Sequence, residues 1–138
     1  MKKIFFIIMT FGLLIAEVNE KEILLKEASR FSLRRQYEKA IFIYKDLEQK
    51  FPDDYEISEK LIENYFFTSR IDEAEKLLED KRVIFPEINY VKLKTSVLLI
   101  QSKVKEAEKL SGNYLSKNSR KINNYKLFAS IFQRYRQY

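Results

Sequence analysis

A fixed period near 34 residues constrains this chain more than any other feature. The pairs Phe51-Pro52 and Phe85-Pro86 lie 34 residues apart, as do Ala40 and Ala74. Frames opened at Lys21, Tyr55, Ile88 and Ile122, spaced 34, 33 and 34 residues, bring residues of like character into register. The eighth position reads Ala28, Ile62, Thr95 and Ala129, the eleventh Phe31, Tyr65, Leu98 and Phe132, and the twentieth Ala40, Ala74 and Ala107. Within a frame the apolar residues recur at helical spacing, as in Ile57, Leu61, Ile62 and Tyr65, and again in Ala74, Leu77 and Leu78. Each frame is therefore read as two amphipathic helices joined by a short polar link such as residues 68–72.

One helix pair cannot bury its apolar face alone, so stacked pairs are required to make a continuous core. The reading is an all-α chain of three helix pairs, over 21–54, 55–87 and 88–121, followed by a half repeat at 122–138 whose single helix caps the stack. Composition agrees, because two Gly and two Pro in 138 residues leave little material for the turns of a many-stranded sheet. Asp54 is placed to cap the first helix of the second frame, and Asp72 with Glu75 reads as a capping box for its second helix. Gly112 falls inside a helix, at a cost of about 1 kcal/mol.

The repeat resembles that of the tetratricopeptide repeat (TPR) family, whose 34-residue unit has small residues near positions 8 and 20, aromatics near 11 and 24, and Pro at 32. The first frame matches through Ala28, Phe31, Ala40, Tyr44 and Pro52, and the second through Tyr65, Ala74 and Pro86. Departures are Ile62 at a position where the family prefers a small residue, and Ser119 in place of the third Pro. The resemblance implies an α-α superhelix whose first helices line a concave, partner-binding groove.

Residues 1–16 read as a secretory signal. Lys2 and Lys3 precede an uncharged, mostly apolar run from Ile4 to Ala16. As a helix that run is about 20 Å long, against roughly 30 Å for a hydrocarbon core. Cleavage after Ala16 would release a domain of residues 17–138 to the periplasm or cell envelope; retention would leave residues 1–16 as an inner-membrane anchor, and burial as a core helix is the third alternative. Leu14 is large for the position two before the cut. No Cys is present to accept a lipid.

The chain has neither Cys nor His, which removes thiolate nucleophiles, thiolate metal sites and the usual neutral-pH acid/base. Paired carboxylates such as Glu59 and Glu63 have no nucleophile or phosphate loop in the sequence to work with. A non-enzymatic scaffold without a cofactor is expected. By the resemblance, the groove candidates are Glu56, Glu59, Glu63 and Phe66 from the second frame, Asn89, Lys92, Ser96 and Leu99 from the third, and Lys126 and Arg134 from the fourth. Phe66 and Phe67 are adjacent, so one of them belongs to the core. The three glutamates are suited to a basic peptide, and less so to a divalent cation.

Charge divides unevenly, with a net of −5 over residues 17–87 and +9 over residues 88–138. That asymmetry could steer an acidic protein or peptide partner, hold the basic third against anionic lipid as a peripheral membrane contact, or drive head-to-tail self-association. Nucleic acid, which Tyr90, Tyr114, Tyr125 and Tyr135 among the lysines would suit, is not expected of an exported protein.

Overall fold

The computed structural model describes residues 19–119 and 121–135. Among them are seven α-helices and no strand: α1 over residues 19–33, α2 Tyr37–Lys50, α3 Tyr55–Phe67, α4 Ile71–Asp80, α5 Glu87–Ile100, α6 Val104–Lys117 and α7 Ile122–Tyr135. The leader read over residues 1–16 lies outside the described residues. Consecutive helices from α2 to α7 pack against one another, and the first helices of neighbouring frames also touch, α3 against α5 and α5 against α7.

The helices keep step with the period. α2, α4 and α6 begin at Tyr37, Ile71 and Val104, which share position 17 of their frames. Each is preceded by the same turn. Arg35, Ser69 and Ser102, all at position 15, adopt φ of 59°, 59° and 60°. The amide after each of them, on Gln36, Arg70 and Lys103, donates to the carbonyl five residues back at 2.9, 2.9 and 2.8 Å. The left-handed residue itself donates to the carbonyl three back, on Ser32, Phe66 and Leu99. This is a Schellman termination made without glycine. A left-handed L-residue costs roughly 1–2 kcal/mol, and here the cost is met three times by capping the carbonyls of α1, α3 and α5.

Small residues sit where helices approach. Ala40, Ala74 and Ala107 at position 20, and Ala28 and Thr95 at position 8, are all 0% exposed, and so is the larger Ile62 at position 8. Ala129, the fourth residue at position 8, is exposed, because no described helix follows α7 to cover it. The main core runs from Ala28 to Leu93 through Tyr44, Leu47, Ile57, Ile62, Tyr65 and Leu78. A second cluster joins Val91, Tyr114, Phe128 and Ile131, so α7 covers the end of the third pair, with the Tyr114 and Phe128 ring centres 5.9 Å apart.

α5 is buried nearly all round, with Val91, Leu93, Thr95, Ser96, Val97 and Leu98 all buried. Its position explains this, since α3, α4, α6 and α7 all pack on it. Asp54 caps α3 as read, accepting from the Glu56 amide at 3.0 Å and the Ile57 amide at 3.4 Å. The capping box at Asp72 is corrected: α4 starts at Ile71 behind Arg70, with no side-chain cap. Glu75 turns instead to Lys94 and Gln101 on the neighbouring unit. The 33-residue spacing of the second frame also has a local cause. Two residues, Asp53 and Asp54, separate Pro52 from α3, whereas α5 begins directly after Pro86.

Candidate functional site

The first helices place the ten groove candidates in rows one repeat apart, and the rows do not stay open. Glu59 and Lys92 share position 5 of adjacent frames, so the contact of α3 with α5 sets them side by side. The Lys92 ammonium donates to Glu59 Oε1 and lies 3.9 Å from Glu63. Asn89 Nδ2 donates to Glu59 Oε2 at 3.1 Å, and Lys60 donates to Glu63 at 3.0 Å. Glu59 is only 9% exposed. Four of the ten candidates, Glu59, Glu63, Asn89 and Lys92, therefore form one internally paired cluster. Its carboxylates already hold an ammonium where a cation was considered, and no metal-holding group of three or more ligands occurs among the described residues.

Ser96 is buried and donates to the Lys92 carbonyl of its own helix at 3.1 Å. Tyr135 of α7 lies beside it; burial pushes the Tyr135 hydroxyl pKa up, against the pull of Arg134 and Ser96. Phe66 packs against the main core and Leu99 against the second cluster. Glu56, Lys126 and Arg134 stand exposed and make no ion pair with the cluster among the described residues.

Of the adjacent phenylalanines, Phe67 is the exposed one, at 61%, and it stacks on Tyr37 with ring centres 4.7 Å apart. Phe67 occupies position 13 of its frame and Tyr37 position 17 of the frame before. Leu33, also at position 13, has no earlier frame to pair with among the described residues and is 85% exposed. Leu33, four residues before Tyr37 across the first turn, is taken together with the Tyr37–Phe67 stack as an apolar edge beside the intra-unit turns. Neither Leu33 nor Phe67 is among the ten groove candidates, and their shared position 13 is the sequence signal that points to them.

Other carboxylates and cations also pair between units. Glu38 meets Arg70 at 2.8 Å, Glu48 meets Lys81 at 2.8 Å, and Lys21 meets Asp54 at 2.5 Å. Burial opposes ionisation of Asp54, yet Lys21 and the two cap amides hold its pKa below the usual value. Lys94 bridges Glu75 at 2.7 Å and Glu79 at 2.6 Å, and with Gln101 it holds the Glu75 carboxyl low as well.

The charge asymmetry thus has a structural component. Residues 55–87 carry nine acids against five bases, and residues 88–121 eight bases against two acids. Much of that acid is matched by Lys92 and Lys94. Residues 21–54 are close to neutral, with eight bases and seven acids. Toward the C-terminal end, Lys103, Lys105, Lys109, Lys117, Lys121 and Lys126 have no carboxylate within 4 Å among the described residues.

Comparison with protein-family models, curated proteins and solved structures finds no match to this chain. No helix among the described residues is long and apolar enough to cross a membrane.

Proposed function

We propose that this chain is a helical repeat protein of the tetratricopeptide kind, exported to the cell envelope, where it serves as a non-enzymatic adaptor for a protein or peptide partner. The observation that carries the reading is periodic. Three successive units share a left-handed turn residue at position 15 and a fully buried alanine at position 20. Such units stack into a superhelix that presents one row of side chains per unit, a geometry suited to an extended or helical peptide.

On this reading the partner does not displace the Glu59–Lys92 pair, because separating it would strip a mostly buried carboxylate of its cation. Apolar contact falls instead on Leu33, Tyr37 and Phe67, and Lys126 and Arg134 set orientation by receiving an acidic segment. Capture of a partner from the native envelope by the tagged chain, compared with a Leu33→Asp, Phe67→Asp variant of unchanged helicity, tests this. Undiminished capture by the variant would place the partner elsewhere. For export, the protein taken from its host should begin at Glu17; a chain starting at Met1 in the soluble cytosol would overturn it.

A second reading, a membrane-anchored or lipid-associated adaptor, draws on the unmatched lysines of the C-terminal third. Salt-sensitive binding to anionic vesicles, with none to neutral ones, would favour it.

A further inference from the structure

The outer face of α7 repeats a docking surface that this chain uses twice elsewhere. In α3 the residues at positions 4, 8 and 11 are Ser58, Ile62 and Tyr65, 0%, 0% and 4% exposed in the unit closed by α4. In α5 they are Val91, Thr95 and Leu98, 5%, 0% and 6% exposed in the unit closed by α6. α7 carries Tyr125, Ala129 and Phe132 at the same positions. Tyr125 is 44% exposed, Ile122 one turn earlier is 70% exposed, and Ala129 is exposed at the centre. A helix that only closed a stack would present a polar outer face, whereas this one keeps the apolar stripe of a helix awaiting its pair.

We infer that this stripe docks an acidic amphipathic helix of a partner protein, seated as the second helix of a fourth unit. Two observations specify the occupant. The covering helices α4 and α6 place Ala74 and Ala107 at the crossing, with Leu77 and Leu78 or Tyr114 on the same side, so the partner helix needs a small residue flanked by large apolar ones. The stripe is bordered by Lys121 and Lys126, neither with a carboxylate partner among the described residues, so the flanks of the incoming helix are acidic. The chain contains a helix of that kind: α4, IDEAEKLLED, has five acids and one lysine around Ile71, Ala74, Leu77 and Leu78. This surface lies apart from the Leu33 edge and shares only Lys126 with the groove reading, so Ala129→Glu, which leaves Lys126 in place, separates the two.

The test uses the peptide IDEAEKLLED, blocked at both ends and fluorescently labelled, with a scrambled peptide of the same composition as control. Anisotropy is read on the full 138-residue chain in a non-ionic detergent, which shelters residues 1–16 without adding charge. The peptide should bind, the scrambled one should not, and Ala129→Glu should weaken binding roughly tenfold, since it sets a like charge at the apolar centre. Ala129 is exposed and helical, so circular dichroism of the variant should be unchanged. Lys121→Glu with Lys126→Glu should remove most of the salt dependence. Equal binding of both peptides, or no effect of Ala129→Glu, overturns the inference. So does concentration-dependent self-association abolished by Ala129→Glu, which makes the occupant a second copy. Binding to phosphatidylglycerol vesicles that is lost in Ala129→Glu, with no peptide binding, overturns it in favour of a membrane.

Discussion

Replacing Lys92 by Met separates a structural role for the position-5 charges from a partner-binding one. The Glu59 side chain is 12% exposed and that of Lys92 25%, so the pair is neither a surface contact worth at most about 1 kcal/mol nor a fully buried one, whose breakage costs about 3–5 kcal/mol. Met fills the volume of the lysine stem but leaves Glu59 with Asn89 alone, at 3.1 Å. A loss of about 2 kcal/mol is expected, intermediate between those limits. In urea this lowers the midpoint at constant slope, and in a thermal scan it lowers the midpoint by roughly 5–10 °C for a domain of this size. Adding Glu59→Met should recover most of the loss, because a matched apolar pair leaves no stranded charge. If Lys92→Met stays within about 0.5 kcal/mol of wild type, the ordinary range for an uninvolved surface residue, the pair does not hold the units together.

The shared turn makes a second test. Ser69→Gly relieves a left-handed strain of about 1–2 kcal/mol against about 0.5–1 kcal/mol of added unfolded-chain entropy, so a net gain of about 0.5 kcal/mol is expected in the urea midpoint. Gly112 lies inside α6 with open space where a Cβ would stand, and Gly112→Ala should stabilise by about 0.5–1 kcal/mol in the same assay. For pH, Glu75 and Asp54 have pKa values held below the usual carboxylate range, so their contribution is present above the unfolded values and is lost as pH falls through the depressed ones. The thermal midpoint should therefore decline below about pH 4, and Glu75→Gln should make that decline shallower.

Much of the helical architecture was legible in the sequence because the period acts on side-chain volume. Ala40, Ala74 and Ala107 recur where only a small residue lets helices approach, and all three are fully buried. The turns were not legible in the same way. A left-handed residue normally announces itself as glycine, and here the position is held by Arg35, Ser69 and Ser102, two of which suit almost any loop. The pairing of the charges was not legible for a different reason. Glu59 and Lys92 hold one position of adjacent frames, and only the contact between those first helices makes them partners. Asp72 and Glu75 have the spacing of a capping box, but spacing is local, and the cations of the next unit draw Glu75 away.

Site-specific photo-crosslinking in intact cells of the native host tests the central claim most directly. A photoreactive residue at Leu33, on the apolar edge, is compared with one at Phe42, 77% exposed on α2 and away from that edge. The account predicts a discrete partner adduct from Leu33 in the envelope fraction and none from Phe42. Adducts from Phe42 alone, or none from either position, would contradict it.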